Sequence, residues 1–381
     1  MASPHPSPSM TDLRRQMDAR VPTMLAQLER LVNTESPSLN NERLEESARV
    51  IAEIFTEVTG KAPKIISSAR GPHVHWKGSE QTNVLIVGHH DTVFPLGEVA
   101  KRPFSRDGDI ARGPGIFDMK AGIVQAIHGL SAIPDSYHVE MLITADEEVG
   151  SYASRELIEQ RAIATGAVLV LEPSADGGAL KIARKGVGTF RVDIGGRAAH
   201  AGLEPEKGIN ALIELATQVQ RISAIANPNL GTTVTPTVAS AGTTENVVPA
   251  MAQIVVDVRV VVPEEKDRVE REMAALTPTV AGATITVSGS INRPPMHESA
   301  SADLFAVALK IAAEMNIEGM NGVAVGGGSD GNFTAAVGVP TLDGLGAVGG
   351  GAHADSEHVL ISKMGERAAL LAGVARALVN R

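Results

Sequence analysis

The chain contains no cysteine. This excludes disulfides and thiolate metal sites, and leaves His, Asp and Glu as the side chains able to hold a metal ion. It also fits a reducing compartment. Positive charge is in deficit: 34 Lys and Arg against 44 Asp and Glu leave a net charge of −10. Nucleic acid and anionic membrane surfaces are therefore poor partners. No run approaches the roughly 18 apolar residues needed to span a bilayer. The opening MASPHPSPSM is Pro/Ser-rich and lacks the apolar core of a signal peptide, so residues 1–10 are expected to form a flexible tail and the protein to be cytoplasmic.

What is present is a globular composition, 43% hydrophobic and 20% charged, in 381 residues, enough for two domains. Residues 11–34 and 41–59 carry helical periodicity, with Gly60 at the position of a helix C-cap. Short apolar runs then alternate with helical segments near 120–133 and 152–162. The runs NVLIV (83–87), VEMLIT (139–144) and AVLVL (167–171) read as strands buried on both faces. That rhythm predicts an α/β domain, a mostly parallel sheet flanked by helices, over 11–185 and 295–381. Between them, residues 186–294 read β-α-β-β-α-β, the order of a ferredoxin-like insertion. Such a unit has two helices for one sheet face and an exposed edge strand, which invites pairing with a second copy.

Three of the strands end in acids or histidines: His89, His90 and Asp91 after the first, Asp146, Glu147 and Glu148 after the second, Glu172 after the third. Ligands of open parallel sheets bind beyond the carboxyl ends of the strands, so these side chains converge at one edge. Crowded carboxylates resist desolvation unless water or a cation accompanies them. Two Gly-rich loops add Asp118 (GPGIFDMKAG) and His353 (GGGAHADSEH).

Taken in order, GHHDTV, GPGIFDMKAG, TADEEVGS, LEP and GAHADSEH resemble the family of two-zinc exopeptidases and deacylases, which includes glutamate carboxypeptidases, aminoacylases and acetylornithine deacetylases. The similarity covers nearly the whole chain after residue 11 and lies nearest the glutamate carboxypeptidase branch. It implies that His89 and Glu172 hold one zinc, Glu148 and His353 the other, and that Asp118 bridges them through a cis peptide to Met119. Two Zn2+ per subunit are expected, with Co2+ or Mn2+ able to substitute. Glu147 is left as the proton shuttle beside a bridging water, and Asp91 as the acid that orients His89. His90, on the other side of a period of two, is read as packing, and Asp146 as capping or solvating its turn.

The insertion supplies the remaining expectations. The same resemblance implies that His200 (GRAAHAG) donates to the developing oxyanion from the neighbouring subunit of a homodimer. Asn246 (ENVVP), Arg259 (IVVDVRVV) and Arg293 (NRPPM) suit a substrate carboxylate, where bidentate Arg is preferred. The N–H groups of Gly327 and Gly328 in GGGSDG would point to the same carboxylate. Lys181, Arg184 and Lys185, beyond Glu172, suggest a preference for acidic side chains. The implied substrate is a small peptide or N-acyl amino acid with a free carboxylate, a glutamate conjugate being one candidate; an aminoacylase or deacetylase reading uses the same site. A competing chemistry is a serine hydrolase: GGSDG satisfies G-x-S-x-G at Ser329, with Asp343 and then His353 or His358 downstream. It leaves HHD, DEE and Glu172 unexplained.

Overall fold

The computed structural model describes residues 8–133 and 138–380. Residues 1–7 of the expected tail lie outside them. The remainder of that stretch is structured: Ser9 accepts a hydrogen bond from Asp12 N as the cap of helix α1 (Met10–Val32). The backbone divides into two compact units. One comprises the chain as far as Ala183 together with His297–Val325 and the residues from Ser329 onward; the other is Arg184–Met296 with Gly326–Gly328.

The first unit is built on a six-stranded sheet. Its strands, in chain order, are β1 (Lys64–Ile66), β2 (His73–Lys77), β3 (Val84–His89), β6 (Val139–Thr144), β7 (Val168–Val170) and β14 (Thr341–Leu342), arranged β1-β2-β6-β3-β7-β14. The four strands from β6 to β14 are parallel, as their apolar runs predict; β1 and β2 extend the sheet antiparallel. Those two lacked the uninterrupted apolar signature: β2 reads HVHWK.

Burial divides the central strands by a period of two. Val84 and Ile86 of β3 with Met141 and Ile143 of β6 join the larger core. Leu85 and Val87 with Leu142 join a smaller one with Ile158 and Ala162 of α5 (Arg155–Thr165). The larger core is covered by α1, α2 (Asn41–Thr59), α4 (Ala121–Leu130), α8 (Ala302–Glu314) and α10 (Ile361–Val379). Helix α2 starts on Asn40, whose side chain accepts from Arg43 N, and stops at Gly60, where φ is 72°. At Gly129 of α4 a Cβ would stand 2.7 Å from Ala368 O, so only glycine allows α4 and α10 to approach this closely.

A second, four-stranded sheet in this unit was not legible from the sequence. It is ordered β15 (Gly349–Gly350), β16 (His358–Leu360), β5 (Ile110–Arg112) and β4 (Ser105–Asp107). Its strands are two or three residues long and three of them carry glycines or charges, too little for periodicity to register.

The second unit is an antiparallel sheet ordered β10 (Thr233–Ala241), β11 (Met251–Val260), β9 (Gly186–Gly195), β12 (Thr284–Arg293). With α6 (Ala211–Ser223) and α7 (Pro263–Ala274) the chain order is β-α-β-β-α-β, the ferredoxin-like unit expected. Its core alternates along the strands, Phe190, Val192 and Ile194 of β9 and Ile254, Val256 and Val258 of β11, beneath Leu215 and Ile222 of α6 and Val269 and Met273 of α7. Strands β10 and β12 are its two edges. Among the described residues no helix is long and apolar enough to cross a membrane.

Candidate active site

At the carboxyl ends of β3 and β6 and just beyond β7 the first unit gathers its acids and histidines. His89 is the last residue of β3. Its Nε2 lies 3.2 Å from Asp118 Oδ1 and 3.7 Å from Glu172 Oε1. His353 Nε2 lies 3.3 Å from Asp118 Oδ2 and 3.2 Å from Glu148 Oε1. Asp118 therefore turns one carboxylate oxygen to each imidazole. The Asp118–Met119 peptide is cis.

Glu147 and Glu148 open a single 3-10 turn, Glu147–Val149, directly after β6. Donor atoms of His89, Glu147 and Glu172 all lie within 4.8 Å of one another, as do those of His89, Asp118 and Glu148. Two carboxylates at that separation repel by about 3–4 kcal/mol at an effective dielectric of 20. Burial makes this worse: Glu147 and Glu172 are buried, and desolvation pushes the Glu148 carboxyl up. Without a cation only protons relieve the cluster. Hydrogen bonds to Asp118 and then Glu148 hold His353 up at about 10. Burial works to lower His89, but Asp118, Asp91 and Glu172 outweigh it and keep it well above the usual imidazole range.

The donor set fits a pair of divalent ions. Ligands about 2.0–2.1 Å from a tetrahedral zinc stand roughly 3.3 Å apart, and the contacts above run from 3.2 to 3.7 Å. Nitrogen and carboxylate oxygen are the ligands zinc accepts in the absence of thiolate. Asp118, with an oxygen for each histidine, has the geometry of a bridge.

Asp91 does more than the sequence suggested. Its backbone carbonyl is 3.0 Å from His89 Nδ1 and its Oδ1 is 3.5 Å away. That pairing puts the proton on Nδ1 and frees Nε2 as a lone-pair donor. The same carboxylate accepts from the backbone N–H groups of Glu147 and Glu148, both at 3.2 Å, and from Ser38 Oγ at 2.8 Å. One buried carboxylate thus aligns the β3 end with the β6 end. His90 is fully buried between Ser47 Oγ and Pro72 O, a packing role. Asp146 neither caps nor solvates its turn: it is fully buried, makes no side-chain bond to the turn, and accepts from Ala153 N at 2.7 Å, beyond it.

The serine-hydrolase alternative has no geometry. Ser329 is fully buried and its hydroxyl donates to Asp343 Oδ2 at 2.6 Å, not to a histidine. His353 faces Asp118 and Glu148, and His358 pairs with Ser356 O. The triad needs a histidine within reach of the serine and an exposed oxygen, and Ser329 has neither.

Six expected site residues belong to the second unit. His200 is exposed, and its Nδ1 accepts from Gly202 N and Leu203 N at 3.2 Å. Two donors on Nδ1 leave the proton on Nε2, the tautomer that donates outward. Asn246 lies beside it, its carbonyl accepting from Ala201 N. Arg293 ends β12 nearly buried, and its Cδ is 2.9 Å from where a Cβ on Gly328 would stand. Arg259 makes a bidentate pair with Asp257, Nε to Oδ1 at 3.0 Å and Nη2 to Oδ2 at 2.8 Å. The carbonyls of Gly327 and Gly328 accept from Arg184 Nη1.

That last contact corrects an expectation. Arg184 is buried and holds the glycine loop, while Lys185 donates to Gly231 O. Both were read as attracting acidic substrates; their charges serve backbone carbonyls instead. Lys181 remains beside the cluster, its Nζ 3.9 Å from Glu172 Oε2. Sequence reasoning also passed over Glu357, fully buried with its carboxylate on the backbone of the Asp118 loop. Its position four residues after His353 was the only available signal.

Comparison with known proteins places this geometry. The chain is 32% identical over 364 residues to carboxypeptidase G2 of Pseudomonas sp. (strain RS-16), covering 91% of this chain and 87% of that protein. It superposes on an M20 family metallo-carboxypeptidase from Sulfolobus solfataricus with a TM-score of 0.74 at 16% identity, over 94% of this chain and 99% of the other. A dinuclear metal-binding peptidase of the M20 family from Bacillus subtilis matches with a TM-score of 0.63 at 18% identity, over 96% and 99%. The profile of peptidase family M20/M25/M40 matches residues 85–377, which carry every acid and histidine of the cluster. By fold, by sequence and by the extent of the match, the chain belongs to peptidase family M20/M25/M40 and is a hydrolase.

Proposed function

We propose that the protein is a zinc-dependent carboxypeptidase-type amidohydrolase. It removes a C-terminal amino acid with a free carboxylate, glutamate being the first to test, from a small peptide or N-acyl conjugate. The observation that carries this reading is Asp118, one oxygen turned to His89 and the other to His353. His89 and Glu172 would hold one ion and Glu148 and His353 the other, with Asp118 between. When bound, such a pair acidifies a shared water and polarises a carbonyl.

The chain's own residues do the rest. Glu147, buried beside His89 and Glu172, takes a proton from the attacking water and passes it to the leaving nitrogen. Asp91 keeps Glu147 in place through its N–H and keeps the His89 proton on Nδ1. His200 offers Nε2–H to the oxyanion as it forms. Arg293, together with Asn246, Arg259 and the N–H groups of Gly327 and Gly328, takes the substrate carboxylate. Screening dipeptides and N-acyl amino acids with the zinc-loaded protein tests the assignment. Turnover confined to substrates with a free carboxylate supports it; turnover of N-acyl amino acids without peptides gives the aminoacylase reading.

Arg293→Ala is expected to lower kcat/KM for free-carboxylate substrates about 10- to 100-fold more than for their amide-capped analogues, the worth of a charge-assisted hydrogen bond. Equal losses on both would mean that Arg293 acts through the fold.

The second unit leaves β10 and β12 as open edges, and we propose that it pairs with a copy of itself, a homodimer in which His200 serves the partner's cluster. Neither His200→Ala nor Glu147→Gln homodimers should turn over well. In a mixed dimer, the His200→Ala chain keeps its Glu147 and receives an intact His200. Random exchange makes half the dimers mixed, so an equal mixture should recover about a quarter of parent activity. If subunits exchange and no activity returns, His200 works within its own chain or not at all.

A further inference from the structure

Glu357 has no step in the chemistry above, yet its side chain is fully buried. Its Oε2 accepts from Gly115 N at 2.8 Å, and its Oε1 accepts from Phe117 N and Asp118 N at 2.9 Å each. Among the described residues no Lys or Arg nitrogen comes within ion-pair distance of it. A buried carboxylate is costly, and here three charge-assisted bonds to backbone N–H groups, with the buried Lys120 ammonium attracting it from beyond ion-pair distance, offset that cost. All three belong to the loop that presents Asp118.

The small sheet explains the reach. Strands β5 and β16 are antiparallel, with Arg112 opposite His358. The residue before β16 therefore stands beside the loop that follows β5. Glu357 is that residue, and its own N–H donates to Ala354 O at 3.1 Å, next to His353. A continuous path runs from Asp118 N–H through the Glu357 carboxylate and the Glu357 N–H to the carbonyl after His353. At its two ends are Asp118 Oδ2 and His353 Nε2, 3.3 Å apart. The His353 loop is held besides by Arg102, whose Nη1 donates to Asp355 O at 3.0 Å. His353 is half exposed, sits at a φ of 62° that side chains seldom adopt, and follows Gly351, where a Cβ would meet Glu357 N at 2.9 Å.

We propose that Glu357 is a positioning residue of the metal centre: it ties the Asp118 loop to the His353 loop and so sets the affinity of the ion position formed by Asp118, Glu148 and His353. The proposal rests on the two-metal reading above. Glutamine at this position keeps the volume but places an NH2 group against at least one of the three N–H donors. Aspartate keeps the charge but withdraws it by one methylene.

The test is zinc affinity, measured without substrate by competition with a chromogenic chelator that resolves the two ions. Glu357→Gln and Glu357→Asp are each compared with the parent at a temperature where their circular dichroism matches it. The expected result for Glu357→Gln is one ion weakened about 10- to 100-fold, the effect usual for a residue that orients a ligand. The other ion, which shares Asp118 but not His353, should be weakened clearly less, with the metal-free melting temperature unchanged; Glu357→Asp should fall between. Parent-like affinity for both ions overturns the proposal. Equal weakening of both ions with a lowered metal-free melting temperature also overturns it, because Glu357 then serves the fold alone. Should Glu357→Gln fail to fold, Glu357→Asp decides by the same criteria. A parent protein that binds no zinc refutes the two-metal reading itself, which separates the two failures.

Discussion

Chelation is expected to bring hydrolysis to background and added zinc to restore it. Asp118, Glu147, Glu148 and Glu172 crowd around His89 and His353, and without metal only protons on the imidazoles relieve the crowding. Protonated, neither histidine can coordinate, so uptake of each ion should release protons, measurable in a weakly buffered solution. Stability gives a readout that needs no substrate. An ion bound only by the native state adds about 2.7 kcal/mol at one hundred times its dissociation constant, so the melting temperature should climb with zinc and fall with chelator. Two equivalents should bind. Full activity in metal-free protein, or inactivation by serine reagents, would sink the assignment.

Glu147→Gln should lower kcat by at least about 10²-fold and leave KM close to the parent value, because the loss is confined to proton transfer. The structure sharpens what this variant decides. Glu147 lies with His89 and Glu172 inside a 4.8 Å cluster, close enough to serve as a ligand, while Glu148 faces His353. Metal content therefore has to be measured beside rate. Two ions retained with kcat lost make Glu147 the shuttle; one ion lost makes it a ligand and moves the proton-transfer role to a neighbour. The glutamine is nearly isosteric, and the Glu147 N–H would still donate to Asp91, so the turn should keep its shape.

Much of the site was legible because the signals that expose it are local. Apolar runs such as VEMLIT announce a strand buried on both faces, and all six of its residues are buried. A parallel sheet then carries the acids after each run to one edge, whatever their separation in sequence. Asn40 and Gly60 bracket a helix by their own hydrogen bonding and φ preference, and α2 runs Asn41–Thr59. The β-α-β-β-α-β order of the second unit follows from the same short-range periodicities.

Residue type and chain spacing by themselves determined the α/β class, the inserted unit and a crowd of carboxylates that calls for water or a cation beside it. Only the tertiary structure decided how each charge is spent. Arg184 and Lys185 looked like bait for an acidic substrate, but they hold the carbonyls of Gly327, Gly328 and Gly231. Arg259 pairs with Asp257, two residues before it on β11, and also reaches Gly326 O. Ser329 satisfies a nucleophile motif and donates instead to Asp343. Glu357 binds a loop some 240 residues earlier because two three-residue strands happen to run antiparallel. Periodicity reports which face of an element meets the core, since that depends on neighbours three or four residues away. The partner of a polar side chain depends on which distant backbone arrives beside it, and that is settled only when the sheets have formed.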